Sequence, residues 1–550
     1  MNAMMTVYIE KAGTLEALIT EEERMSLTHL KIVGEINNAD LSSVLDDMCS
    51  SEVSFDSDDL PIIACDEPPF LKVLDLGDCT VVDGLYFGDF AYYSKLEELI
   101  FPINVIQTSE DAFSDSFGLK KVILPDTLEK ISYGAFSNCS ELEAVNLPDS
   151  LTEIGDFAFS DCVKLREVSI PKNVAVIGCA TFHSCTGIER FTVDPANPNF
   201  ITIDGVIYSS DRKKLVAFPC GYKGGHFDVV DGTECIGVGA FAGSKISTVS
   251  FPQSLKTIEP YSFQFCDNLV EVHIPDSVIE IGELAFRYCP SLTRVQLSSN
   301  IKVLREQIFT GTPNLKRLVL PRSVRVIKPI ALSWAQGLEE LILNDGLEVI
   351  EDDLCKCGHL KYLYISKTVR EIRPEKSRTA RVDNTSFKVE VDKDSPYFIA
   401  SNGLLYTKDW RKAICVYNKE SNALVLDKRT RIIGPLCCSG YTKVQSITLL
   451  EGLIEIGSLA FSGCSSIERI DLPQSVQKVS SNAFVDCDNL KSLVVNASIP
   501  PEIKYNEWHQ EYSCFDDTSD CVLYVPATSV EAYKASWLGF KDIRPLFQLL

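Results

Sequence analysis

The stretch LKKVILPDTLEKISYGAFSNC (Leu119–Cys139) is followed by LEAVNLPDSLTEIGDFAFSDC (Leu142–Cys162) and then by LREVSIPKNVAVIGCATFHSC (Leu165–Cys185). Laid over one another they read L-x-x-V-x-L-P-x-x-L-x-x-I-x-x-x-A-F-x-x-C, with a step of 23 residues. One copy is too short to bury its own Leu, Val, Ile and Phe side chains. Copies must therefore stack, each apolar residue filling the slot of its counterpart one rung away. Within a rung, Leu165, Val168 and Ile170 read as a short strand that stops where Pro171 has no N–H for a ladder. The segment around Ala158 and Phe159 reads as a tight helical turn.

Working outward, the Phe of the signature recurs at Phe113, Phe136, Phe159 and Phe182, at Phe241, Phe263, Phe286 and Phe309, and at Phe461 and Phe484. Leu332, Leu354 and Leu436 are expected to fill the same slot in degenerate copies. About fourteen rungs at the usual spacing of roughly 4.8 Å between strands would account for most of the 550 residues.

Two interruptions are copies of each other. VDPANPNFITIDGVIYSSDRKKLVAFP from Val193 aligns without gaps to VDKDSPYFIASNGLLYTKDWRKAICVY from Val391. Each reads as a β-hairpin turning at Asp211 or Asp409, either joining array segments or forming a binding lip on which Tyr406 and Trp410 would stand. The expected division is an N-terminal cap at 1–69, repeats at 70–193, an insertion at 194–233 and repeats at 234–373. A second insertion at 374–433, repeats at 434–498 and a C-terminal cap at 499–550 complete it.

The L-P and A-F-x-x-C punctuation over most of the chain resembles the BspA-like leucine-rich-repeat family, many of whose members are surface or secreted proteins. The opening TVYIEKAGTLEALI with LKIVGEINNADLSSVL, and the closing CVLYVPATSVEAYKASWLGFKDIRPL, look like that family's end caps. The resemblance implies an α/β-type leucine-rich-repeat solenoid, a curved array with short parallel strands on one face and short helical turns on the other. It also implies a non-enzymatic, adhesin-like protein, extracellular or at the cell surface, that contacts host or microbial proteins. A carbohydrate-binding solenoid using exposed Tyr and Trp, and an enzyme sited at an insertion, are the alternatives.

Composition narrows the partners. Lys and Arg number 52 against 77 Asp and Glu, a net charge of −25, which disfavours nucleic acid because phosphate backbones need a concentrated basic face. No apolar run approaches the ~20 residues of a membrane helix. The first twenty residues show no basic segment followed by an apolar core, so no secretory signal is read there.

The twenty cysteines resolve once the register is known. Cys139, Cys162, Cys185, Cys266, Cys289, Cys357, Cys464 and Cys487 all follow the Phe slot by three residues, which suits small buried thiols in the reduced state. Cys355 and Cys357 with His359 lack a second ligand pair for zinc, and the vicinal Cys437 and Cys438 read as structural. No metalloprotease, nucleophile-elbow or phosphate-loop motif is present, so no catalytic residue, metal or cofactor is assigned. Asn138, Asn384 and Asn496 fall in N-x-S/T triplets, which matter in a eukaryotic secretory setting.

A partner would meet the strand residues flanking the Val slot, which alternate to the outer face. Most are small, polar or charged. Val319, Ile342, Tyr362 and Tyr364 instead form an apolar and aromatic cluster beside Arg294 and Arg317, the residue types that anchor protein interfaces. Against this reading, the second insertion could cover them, or they could simply support cross-strand pairing.

Overall fold

The structure is a computed structural model. It describes the chain apart from residues 1–2, 25, 42–47, 49–51, 56–60, 65–70, 84–85, 88–89, 92–94, 333–334, 353–358, 374–385, 481, 505–520 and 550. The chain packs as two units, Met1–Pro290 and Ser291–Leu550. Both are stacks of the 23-residue rung.

The L-x-x-V-x-L segment is a parallel strand in each rung. Ala144 lies opposite Lys121 and Val145 opposite Val122, and Glu167–Ile170 pairs in the same sense with Arg190–Val193. Sequence reading did not anticipate a second column. Two residues at the x-I position of every clean rung form their own parallel ladder, as Lys130–Ile131 with Glu153–Ile154 and Glu153–Ile154 with Val176–Ile177.

The segment expected to be a helical turn is a run of hydrogen-bonded turns instead. Ser160 N–H donates to Phe157 O (3.0 Å), while Phe159 N–H donates onward to Thr181 O of the next rung (2.9 Å). Two residues per rung are left-handed: Gly134 and Asn138 (φ 57° and 60°), then Phe157 and Asp161 (φ 55° and 59°). Left-handed residues cannot continue a right-handed helix, so the chain turns back. In this run the second of the pair is Asn138, Asp161 or Ser184, short polar types that tolerate this region best, whereas Phe265 and Tyr288 take the same place further along.

The Phe slot forms a continuous stack. Ring centroids lie 5.5 Å apart for Phe113 and Phe136, 5.4 Å for Phe136 and Phe159 and 5.8 Å for Phe159 and Phe182, with planes within 10° of parallel. Each ring is buried and contributes on the order of 2 kcal/mol. Phe218, at the end of the first insertion, carries the stack on to Phe241 (4.6 Å). In the Ser291–Leu550 unit Leu332 fills the slot as expected, since Phe309 N–H donates to Ala331 O just before it. Leu436 does not. It is left-handed (φ 57°), and Cys438 takes the slot, donating its N–H to Ala460 O as Phe461 does to Ala483 O. Leu354 lies outside the described residues.

The described ladder cysteines are free thiols, and each satisfies a carbonyl of the preceding rung. Cys139, Cys162 and Cys185 donate Sγ–H to Phe113 O (3.2 Å), Phe136 O (3.1 Å) and Phe159 O (3.0 Å). Cys is therefore chosen over Ala for its weak donor as well as its size. Burial pushes the thiols up, that of Cys266 to about 12. Cys355 and Cys357 lie outside the described residues.

Both insertions are three-stranded meanders. Phe200–Ile203, Val206–Ser209 and Lys214–Ala217 run antiparallel, with one turn at Asp204-Gly205 and the expected one at Asp211. The third strand then joins the second column through Cys235–Ile236. The copy Phe398–Ser401, Leu404–Thr407 and Lys412–Val416 repeats this, joining at Ile432–Ile433. At the start of the chain Ala3–Ile9 and Leu27–Ile36 extend the eight-stranded sheet that begins the array. At its end, the helix Val530–Ser536 leads to buried Trp537, whose indole N–H donates to Pro501 O (3.0 Å). No helix of the described residues is long and apolar enough to cross a membrane.

Candidate functional site

In the Ser291–Leu550 unit, strands Arg317–Val319, Glu340–Ile342, Tyr362–Ile365 and Lys388–Val391 form one parallel sheet. Because side chains alternate along a strand, register fixes the outer face. Arg317, Glu340, Tyr362 and Lys388 make one row, and Val319 and Ile342 lie side by side in the next, which continues through Tyr364 to Glu390. Leu318, Leu341 and Leu363 point into the core. Arg294 stands one rung earlier, exposed and in line with Arg317.

The six residues singled out on this face are thus brought together. Val319 is 43% exposed and Ile342 39%, two aliphatic side chains that the described residues of the insertion leave open to water. Arg317 Nε pairs with Glu340 Oε2 (3.1 Å). Tyr362 donates its hydroxyl to Glu390 Oε2 (3.0 Å), with the Lys388 ammonium 5.6 Å from its ring centroid. Tyr364 is half-buried and donates to Asp392 Oδ2 (2.9 Å). That bond, with desolvation behind it, pushes the Tyr364 hydroxyl up to about 12. Lys388, Glu390 and Asp392 were missed by sequence reading, although they flank the start of the second insertion. The gapless match of the two insertions marks the strand that carries them.

Tyr406 and Trp410 do not join the site, which corrects the binding-lip expectation. Tyr406 is only 2% exposed, and its oxygen accepts Asp427 N–H (3.3 Å). Trp410 is half-buried, packed on the Tyr406 ring (5.3 Å) and covered by the Arg429 guanidinium (4.0 Å). Asp427 in turn holds Arg429 (2.7 Å). The pair forms the insertion's own core because the turn at Asp409 puts Trp410 in the left-handed region (φ 64°) and folds its ring back.

Among the described residues no group of three or more His, Cys, Asp or Glu is placed to hold a metal ion. What the face offers is an apolar centre framed by aromatic and charged groups, a chemistry of contact.

Three solved structures give the scale of similarity. A leucine-rich repeat protein from Eubacterium ventriosum is 13% identical over 86% of this chain and 92% of its own, with a TM-score of 0.45. One from Bacteroides ovatus is 19% identical over 82% and 84%, with a TM-score of 0.28. A leucine rich cell surface protein from Faecalibacterium prausnitzii is 21% identical over 59% and 93%, with a TM-score of 0.33. No curated protein matches the chain. The model of the BspA type leucine rich repeat region matches six copies, over residues 86–210, 256–377 and 412–510. With more than half of its length matched, the chain belongs to the BspA-type leucine-rich-repeat family.

Proposed function

We propose that this chain is a non-enzymatic protein-binding scaffold displayed outside the cell, and that a protein partner docks on the strand face around Val319 and Ile342. The observation that carries this reading is the in-register exposure of those two side chains beside Tyr362, Tyr364, Arg294 and Arg317. An apolar centre with Tyr and Arg around it is the composition of an interface core. Membership of a repeat family built for extended contact surfaces supports the role.

The test is binding of the full chain to a panel of extracellular-matrix, mucosal and microbial surface proteins, measured by surface plasmon resonance. The double variant Val319→Asp, Ile342→Asp changes two exposed side chains and should keep its thermal midpoint. It should lose binding by roughly tenfold or more. A folded double variant that binds every partner as the parent does would remove this face from the function.

A further inference from the structure

Between the turn of the second meander and the second strand column lies an open cavity of about 660 Å³. Five cations line it: Arg370, Lys408, Arg411, Lys412 and Arg431. Its two carboxylates, Asp409 and Glu455, are both engaged. Asp409 accepts Thr407 Oγ1–H (2.7 Å) and Arg411 N–H (3.0 Å), and Glu455 pairs with Lys504 (2.9 Å). Arg370 reaches Glu348 (3.4 Å). Arg431 donates to the carbonyls of Lys428 and Thr430 (3.2 and 3.1 Å), which leaves its charge uncancelled. Among the described residues no carboxylate lies within ion-pair distance of Lys408, Arg411 or Lys412.

The sister insertion shows the neutral form of the same place. There Lys213 pairs with Glu234 (3.0 Å) and Lys214 with Glu259 (2.6 Å), and Glu234 also holds Lys256 (2.6 Å). At the equivalent positions of the second copy Arg431 replaces Glu234, Gly457 replaces Glu259, Lys408 replaces Ser210 and Arg370 replaces Ala175. Each of these four exchanges removes a negative charge or adds a positive one, and together they outweigh the two that run the other way, Ile454 for Lys256 and Glu455 for Thr257, in a chain whose net charge is −25. Clustered like charges repel, so a cluster in which five cations face two carboxylates is favoured once an anion occupies it.

The remaining wall is apolar. Pro396, Tyr397 and Ile454 line it, and Tyr397 is 43% exposed where the first copy has Asn199. A concavity within the ~300–1,000 Å³ of small-ligand sites, with an open aromatic ring and forked guanidinium donors, suits a few charged sugar units better than a flat protein contact. We propose that this groove binds an acidic oligosaccharide, one whose sugars carry sulfate or carboxylate groups. The groove belongs to the second strand column, so the proposal stands apart from the protein-binding face.

The experiment is calorimetric titration of the full chain with three probes matched in negative charge. They are a heparin-derived sulfated oligosaccharide, an oligogalacturonate and a poly-glutamate peptide. At least one saccharide should bind, more weakly as salt rises, and the two saccharide arms show whether sulfate or carboxylate is preferred. Arg431→Glu and Lys408→Glu should each weaken binding roughly tenfold, and Tyr397→Ala should weaken it about threefold. Lys213→Glu in the first insertion should leave it unchanged. Lys408 is exposed on a turn, so its variant keeps the test valid if Arg431→Glu misfolds. The proposal is overturned if neither saccharide binds, if the peptide binds as tightly, if Lys213→Glu weakens binding as much as Lys408→Glu, or if Tyr397→Ala has no effect.

Discussion

The two meanders follow one chain path and present different surfaces. Phe200 and Phe398 are buried alike, as are Tyr208 and Tyr406. Asp211 and Asp409 each accept a hydroxyl and a backbone N–H in the turn. Asn197 and its replacement Ser395 are both buried, and each accepts the N–H of the Phe that opens the meander. Gly205 and Gly403 share a left-handed backbone (φ 82° and 80°), and a Cβ on Gly205 would lie 2.7 Å from that of Arg190. The copies differ in docking. Gly205 O accepts Phe191 N–H (2.8 Å) from the strand before the insertion, whereas Gly403 O accepts Tyr417 N–H (2.9 Å) at the meander's own end. They also differ in charge, neutral in the first and strongly basic in the second. Buried aromatics, one turn acid and one glycine therefore fix the path, and the solvent-facing positions are free to specialise.

The comparison breaks most sharply at its buried tyrosines. If Tyr208 and Tyr406 are core residues in both copies, Tyr208→Ala and Tyr406→Ala should each cost about 3 kcal/mol, the range of large-to-small aromatic truncation, read from urea unfolding midpoints. A cost under about 1 kcal/mol for Tyr406→Ala would mean that the ring is not packed, and would return it to the surface as a contact residue.

That tyrosine also marks where sequence reading stops. The Phe and Cys slots were legible because a 23-residue repeat that buries its apolar positions leaves a strict period. The strand face was legible because alternation about the Val slot follows from strand geometry. The second column was not, since two residues at x-I carry no alternation to detect. The segment at A-F reads as a tight turn, but its left-handed residues are not legible because A-F spacing says nothing of φ at Asn138 or Asp161. Whether Tyr406 and Trp410 are exposed is not legible, because an aromatic beside a turn acid looks the same in sequence whether its ring folds in or out. The basic groove collects side chains from five separate segments, and it shows in the sequence only when Glu234 is set against Arg431.

The charge difference gives a smaller effect. Lys214→Ala removes a partly exposed ion pair with Glu259 and should cost about 0.5 kcal/mol, less at high salt. Lys412→Ala removes a cation that no carboxylate of the described residues pairs with, so its cost should lie within about 0.2 kcal/mol of zero or turn favourable. Equal costs for the two variants, measured by thermal unfolding at low and high salt, would mean that Lys412 has an acidic partner in solution and that the insertions are electrostatically alike.

The smallest effect distinguishes how each insertion is tied to the strand before it. Asp194 accepts Ala196 N–H (2.7 Å), whereas Asp392 accepts both Asp394 N–H (2.8 Å) and the Tyr364 hydroxyl (2.9 Å), Tyr364 standing where the first copy has Ser169. The carboxylate raises the Tyr364 hydroxyl to about 12 from its ordinary 10. A donor whose folded pKa is raised contributes stability that is complete below the unfolded value and is lost as pH climbs through the folded one. The thermal midpoint difference between the parent and Tyr364→Phe should therefore be flat from about pH 6 to 9 and shrink between pH 10 and 12. Spectrophotometric titration should show one tyrosine fewer ionising near pH 12 in the variant than in the parent, where burial pushes Tyr208 and Tyr406 up to about 12 as well. If Tyr364 instead ionises near pH 10, the hydroxyl is not bound to Asp392. The second insertion would then lack this side-chain tie to the rung before it, whereas the first keeps its own, Asn197 donating Nδ2–H to Pro171 O (2.7 Å) and Val174 O (3.0 Å).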